Sequence, residues 1–217
     1  MDDEADPTPP VSRGAEATIR RVDWLGFPAY LKARDTKNYR PKALDERLRR
    51  ERTRTEARLL VEARRLGVRT PIVYDIDLVK GQLILEELPG STLRQLLEEN
   101  AGGTDALEAP MRSFGRALGR LHAGGVSHGD LTSSNVLFPD GPAGAPAFLD
   151  LSMGTKGGGV EELAIDLHLV EGDLKAIHPN GEHLIESFLA GYAEGNPTGH
   201  RDVRTRAKEI RGRVRYA

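Results

Sequence analysis

His128-Gly129-Asp130-Leu131-Thr132-Ser133-Ser134-Asn135 is the stretch on which the reading of this chain turns. It follows a helix stop at Gly124-Gly125 and precedes the apolar run Val136-Leu137-Phe138. An Asp and an Asn held on such a loop can divide two tasks. The carboxylate orients an incoming hydroxyl or water, or takes its proton, while the amide oxygen is a hard ligand for a phosphate-bound metal. Asp150 closes the run Ala147-Phe148-Leu149-Asp150 and adds a carboxylate where a strand should end, suited to Mg²⁺ bridging phosphates. Asp and Asn often do no more than cap turns. Here the flanking His128, the helix–loop–strand context and Asp150 coincide, and together they favour phosphoryl transfer.

Working outward, Leu107, Met111, Phe114, Leu118 and Leu121 keep a three-and-four spacing that predicts a helix up to the loop. Val136–Phe138 and Ala147–Asp150 flank a Pro/Gly-rich segment and predict a hairpin. Leu163 to Val170, Leu184 to Tyr192 and a basic C-terminal stretch predict further helices. Towards the N-terminus, Pro89-Gly90 breaks the chain, and Thr92 with Gln95 marks a capping box. Pro71 to Leu88 predicts two strands around Lys80-Gly81. Residues 44–66 predict a helix ended by Gly67, with Leu59, Leu60, Ala63 and Leu66 as its apolar stripe. Glu56 falls on that stripe, where an inward carboxylate needs a cation. Ala15 to Ala33 predicts strand, turn and strand, with Lys32 on the second strand. Residues 1–12 contain three prolines and predict a flexible tail. Pro89-Gly90 thus separates a mainly β half from a mainly α half.

The 217 residues allow one domain or two small lobes. With 38% hydrophobic and 29% charged residues, composition is that of an ordinary globular protein. No apolar run reaches the roughly 20 residues needed to span a bilayer. The acidic start Met1-Asp2-Asp3-Glu4 is unlike a secretory signal, and there is no cysteine for disulfides or thiolate metal sites. A cytoplasmic protein without membrane contacts is expected. The net charge of −2 conceals segregation: residues 32–54 hold ten Lys/Arg against four acids, and residues 200–217 hold seven against two. Such runs are ordinarily solvated helix faces; a polyanionic partner is the functional alternative.

His-x-Asp-x4-Asn followed by a strand-terminal Asp resembles the catalytic and metal-binding segments of the protein-kinase-like superfamily. The His-Gly-Asp form resembles its small atypical and small-molecule members. Further segments narrow the resemblance: Arg13-Gly14-Ala15-Glu16-Ala17, Lys37-x-Tyr39-Arg40, Leu44-Asp45-x2-Leu48-Arg49, Arg52-Thr53-x2-Glu56-Ala57-Arg58-Leu59-Leu60, Gly67-Val68-x-Thr70-Pro71 and Ala164-Ile165-Asp166-Leu167-His168. From about Arg13 to the C-terminus the chain resembles the minimal kinase/ATPase subunit of the KEOPS complex, also called PRPK-type kinases.

That resemblance implies a bilobal α+β protein-kinase-like fold, with a small β-rich lobe over 13–88 and a mainly helical lobe over 89–217. It implies that Lys32 contacts ATP phosphates and that Glu56 positions it, with Asp130 acting on the phosphoryl acceptor. Asn135 and Asp150 would hold Mg²⁺; Gly14, Ala15 and Glu16 would form a shortened nucleotide loop in place of the absent Gly-x-Gly-x-x-Gly; Glu86 would contact the nucleotide. His128 and Asp166 would be structural members of the catalytic loop. Asp150-Leu151-Ser152 replaces Asp-Phe-Gly, Ala-Pro-Glu is missing, and Gly154–Gly159 is too short for a usual activation segment. Leu163 stands where the family has Lys. The ending resembles the family's basic tail, with Arg211, Arg213 and Arg215 as contacts to tRNA phosphates and Tyr216 as a stacking group; a solvated helix end would have the same composition.

The implied output is Mg²⁺-dependent ATP hydrolysis, or Ser/Thr phosphoryl transfer, supporting N6-threonylcarbamoyladenosine formation in tRNA. The implied partners are the threonylcarbamoyl-transferring subunit and the complex's small dimerising subunit, with tRNA reached through the complex. Two alternatives stay open: a small-molecule phosphotransferase of the aminoglycoside/choline kinase type, and a non-catalytic tRNA-binding scaffold.

Overall fold

Two eight-residue strands joined by a tight turn build the first layer. In the computed structural model, which describes residues 12–13 and 16–214, β1 (Ser12–Arg13), β2 (Ala17–Trp24) and β3 (Phe27–Arg34) run antiparallel. Leu25 and Gly26, with φ of 54° and 85°, join β2 to β3 in the left-handed conformation a tight hairpin requires. After α1 (Lys42–Arg65), β4 (Val73–Asp77) and β5 (Gln82–Glu86) complete a five-stranded sheet in the order β1-β2-β3-β5-β4. Asp77 Oδ1 accepts from the N–H groups of Val79 and Lys80 and so shapes the β4–β5 turn. Helix α1 lays Glu56, Leu59, Leu60 and Ala63, all buried, towards the interior.

Past Pro89-Gly90 the chain becomes mainly helical. Short β6 (Ser91–Thr92) leads into α2 (Leu93–Glu99), whose capping box between Thr92 and Gln95 forms as the sequence predicts. Then come α3 (Asp105–Ala123), β7 (Val126–Ser127), a 3₁₀ turn at Ser133–Asn135, β8 (Val136–Phe138), β9 (Ala147–Phe148) and β10 (Thr155–Lys156). Strands β8 and β9 form the predicted hairpin, with β6 on its other side, and β10 pairs with β7. Helices α4 (Val160–Ile177), α5 (Gly181–Gly195) and α6 (His200–Val214) follow. The first two outrun the apolar segments that announced them because polar residues at their ends continue the helix. Residues 151–159, with β10 the only regular element among them, carry the chain from Asp150 to α4.

Helices α3 and α5 pack backbone against backbone. A Cβ on Gly115 would lie 1.9 Å from the Phe188 carbonyl oxygen, and one on Gly191 equally close to that of Arg112. Phe114 packs edge-on to Phe148 at 5.9 Å and against Phe188 at 4.9 Å, tying α3 to the β8–β9 hairpin and α5. A single apolar cluster runs from Leu59 and Leu83, beneath the sheet, to Leu121, Leu151 and Phe188. The sheet-bearing and helical parts therefore share a core, and the loop at 128–135 lies between them.

Candidate active site

Two residues apart on β3, Lys32 and Arg34 point to the same side of the sheet, as the strand period dictates. Both reach Glu56 on α1. Lys32 Nζ lies 2.7 Å from Glu56 Oε1, and Arg34 Nη2 lies 2.5 Å from Oε2. All three side chains are buried. Burial pushes the Glu56 carboxyl up, against the pull of Lys32, while the nearby Asp150 pushes the same way as burial. Lys32 Nζ also lies 2.9 Å from Asp150 Oδ2. Burial alone would raise the Asp150 carboxyl; the charge and hydrogen bond of the adjacent Lys32, with the Ser152 N–H and the Arg34 charge, together outweigh it and hold the group at about 2. Asp150 therefore stays ionised at neutral pH. Its backbone adopts φ 52°, a conformation L-residues seldom hold without support from their surroundings.

The loop at 128–135 is held from below by Asp166. Its carboxylate accepts from the backbone N–H groups of His128 (2.6 Å) and Gly129 (2.8 Å), and from His122 Nε2 (3.1 Å). Tyr192 adds its hydroxyl to His122 Nδ1 at 2.9 Å. Burial pushes the Tyr192 hydroxyl up, so it remains the proton donor to His122. Burial alone would raise the Asp166 carboxyl, yet His122 and His128, through hydrogen bonds and charge together, hold it below the usual carboxylate range. His128 donates from Nε2 to the Leu149 carbonyl (2.8 Å) and accepts the Asp130 N–H at Nδ1 (3.3 Å). That pattern requires neutral imidazole, and burial lowers the His128 pKa accordingly. Its two nitrogens being engaged, His128 orients the loop.

Gly129 explains the His-Gly-Asp spelling. Its φ is 83°, and a Cβ there would meet the Met153 carbonyl oxygen at 2.2 Å. Gly129→Ala should therefore destabilise the fold by about 2 kcal/mol or more, from left-handed strain plus collision with a backbone atom. A urea midpoint equal to that of the wild type would refute this account.

Asp130 is exposed, and among the described residues its carboxylate has no hydrogen-bond partner. Asn135 donates from Nδ2 to the Asp130 carbonyl (2.8 Å), which leaves its Oδ1 as a free acceptor among the described residues. The Asn135 carbonyl in turn accepts the Leu149 N–H (2.9 Å), registering the loop against the segment that carries Asp150. Two adjoining cavities share Lys32, Asp150 and Ile19 as walls. One, of about 410 Å³, is polar and faces Asp130, Arg34, Arg52 and Glu16. The other, of about 690 Å³, is bounded by Tyr30, Pro71, Leu85, Leu137 and Leu149, with Glu86 and Asn135 at its rim. A flat apolar group and a polyanion could lie end to end in them. Among the described residues no cluster of three or more His, Cys, Asp or Glu could cage a metal. Asn135 Oδ1 and the Asp150 carboxylate instead supply two hard oxygens, the donor set Mg²⁺ accepts when phosphates and water complete its shell.

A family model described as the lipopolysaccharide kinase (Kdo/WaaP) family matches residues 12–156. The chain belongs to this kinase family. The match takes in the sheet, Glu56, the loop at 128–135 and Asp150, and the molecule is an atypical kinase with the bilobal α+β kinase-like fold. Over 207 residues it is 34% identical to a probable bifunctional tRNA threonylcarbamoyladenosine biosynthesis protein of Methanothermobacter thermautotrophicus, covering 95% of this chain and 36% of that protein. A protein of the same name from Methanosarcina mazei is 38% identical over 209 residues, covering 95% and 35%. Another, from Thermoplasma volcanium, is 34% identical over 203 residues, covering 94% and 36%. The chain thus spans about a third of the length of these curated relatives.

In this kinase the cleft brings together Lys32, Glu56, Asp130, Asn135 and Asp150, with Glu86 at the apolar end and Glu16 at the polar end. Gly14 and Ala15 lie outside the described residues. Glu86 is tied to its own sheet, its Oε2 accepting the Ile72 N–H at 3.0 Å. Sequence reasoning missed Arg34, the second counter-charge of Glu56; the period-two spacing from Lys32 was the available signal. It also missed His122 and Tyr192, which look like ordinary interior residues of α3 and α5. Arg211 and Arg213 lie on α6, away from the cleft. Arg211 pairs with buried Glu171, Arg213 is exposed, and Arg215 and Tyr216 lie outside the described residues. No described helix is long and apolar enough to cross a membrane.

Proposed function

We propose that this chain uses the cleft between a lobe of residues 13–88 and one of residues 89–217 to hydrolyse ATP in support of tRNA threonylcarbamoyladenosine formation. The observation that carries the reading is the chain of contacts Glu56–Lys32–Asp150 facing, across one cavity, the Asp130 carboxylate, which has no partner among the described residues. Lys32, fixed by Glu56, binds phosphate oxygens. Asp130 orients water, or a Ser/Thr hydroxyl in a second, autophosphorylating output, and accepts its proton. Asn135 and Asp150 would hold Mg²⁺, which supplies charge neutralisation between phosphates when bound. The apolar cavity takes the adenine, with Glu86 at its edge, and Gly14, Ala15 and Glu16 are the residues we assign to the phosphate end. His128 and Asp166 keep the loop in register.

The names of the relatives support the tRNA context, and the short link from Asp150 to α4 leaves little platform for a peptide substrate. The partners we assign are the threonylcarbamoyl-transferring subunit and the small dimerising subunit of a KEOPS-type complex, with tRNA bound by the complex. Arg213, near the end of α6, and Arg215 are the residues we assign as the tail's contacts to tRNA phosphates. Arg211 contributes less, because Glu171 already shares its charge.

The test is ATP turnover with and without the transferring subunit and tRNA, in wild type and Asp150→Ala. Turnover should rise with both additions and fall by about 10²–10³-fold in the variant. Turnover that neither addition stimulates and that Asp150→Ala leaves intact would overturn the reading.

A further inference from the structure

Among the described residues three cations face the polar cavity, and they are not equivalent. Lys32 and Arg34 are committed to the two oxygens of buried Glu56, and Lys32 also to Asp150. Arg52 is the third. It sits one helical turn before Glu56 on α1, hence on the same face. Its guanidinium is paired with Glu16, which precedes β2 and whose side chain is 43% exposed. Such a partly solvated pair is weak, so releasing Arg52 costs little. A guanidinium meeting phosphate oxygens can instead form paired, charge-assisted hydrogen bonds.

We propose that Arg52 binds the polyphosphate of the nucleotide, and that Glu16 holds its guanidinium until the nucleotide displaces it. The inference rests on the nucleotide-binding reading of the cleft and deepens it. Glycine-rich loops cover phosphates with backbone N–H groups, and no Gly-x-Gly-x-x-Gly precedes β2 here. A side chain from the helix that also carries Glu56 supplies the missing positive charge. The charge count favours the exchange. Around the cavity Lys32, Arg34 and Arg52 face Asp130, Asp150 and Glu16, with Glu56 behind them. Phosphates entering that balance need one carboxylate to withdraw, and Glu16, at the phosphate end, is the one whose side chain is held by a partly exposed ion pair. Glu16 therefore acts as an internal competitor that neutralises the site in the absence of ligand.

Calorimetric binding of adenosine and of ADP to wild type, Arg52→Ala, Glu16→Gln and the double variant separates the possibilities. Both side chains are partly exposed, and thermal melts check that each variant is folded. Arg52→Ala should weaken ADP by about 10- to 100-fold and leave adenosine within twofold. Glu16→Gln should tighten ADP by a few-fold, about the worth of an exposed pair, and should have no effect once Arg52 is Ala. Arg52→Ala that binds ADP like wild type overturns the proposal. So does equal weakening of adenosine, which would make Arg52 a structural residue, or weakening of ADP by Glu16→Gln. A wild-type protein that binds neither ligand removes the nucleotide reading itself and the Arg52 role with it.

Discussion

Asp130→Ala should reduce ATP turnover by about 10²–10⁴-fold, the range for loss of a positioned general base, while leaving ADP binding and folding intact. The physical reason is the division of labour around the loop. Asp130 is exposed, and its carboxylate has no partner among the described residues, so nothing in the folded state depends on it. Its backbone does the structural work: the N–H reaches His128 Nδ1 and the carbonyl accepts from Asn135. Truncation at Cβ keeps both bonds. A steady-state assay beside an ADP titration checks the claim. Turnover within a few-fold of wild type would leave the chain a scaffold; loss of ADP affinity to the same degree would make Asp130 a nucleotide ligand instead.

Glu56→Ala should destabilise the protein by about 3–5 kcal/mol, the cost of leaving buried charge without its partner. Both Glu56 oxygens are used, by Lys32 at 2.7 Å and Arg34 at 2.5 Å, and all three side chains are largely buried. Lys32→Met should cost less, because Arg34 still neutralises Glu56, although turnover should fall in both variants. The expected order of urea midpoints is therefore wild type, then Lys32→Met, then Glu56→Ala. Equal midpoints for the two variants would mean that Arg34 adds nothing to the pair. The comparison separates the structural role of Glu56 from the phosphate-binding role of Lys32, which a turnover assay alone cannot do.

Much of this site is legible before any fold is known. Glu56 lies on an apolar stripe, so it demands a cation, and β3 supplies Lys32. The spacing from Asp130 to Asn135 and the strand-terminal Asp150 specify oxygen donors in an order suited to phosphate and metal. Arg34 is not legible in the same way. Among ten Lys/Arg between residues 32 and 54, composition alone reads as a solvated face, and only the sheet register decides which of them turn inward. Arg52 is obscured for the same reason: its position one turn before Glu56 matters only once α1 lies across the sheet. The basic ending shows the opposite effect. Arg211, expected from the resemblance to contact tRNA phosphates, is drawn into an ion pair by Glu171 of α4.

By itself the sequence determines the order of elements, the loop at 128–135 and the residue types that phosphoryl transfer needs, because local periodicity and motif spacing are properties of neighbouring residues. Tertiary structure alone decides which cations reach Glu56, that Asp166 grips the loop by two backbone N–H groups, and that Gly129 is required by the Met153 carbonyl. Those contacts join residues 22 to 38 positions apart. Burial, the quantity that makes each of them matter energetically, exists only when the lobes close on a common core.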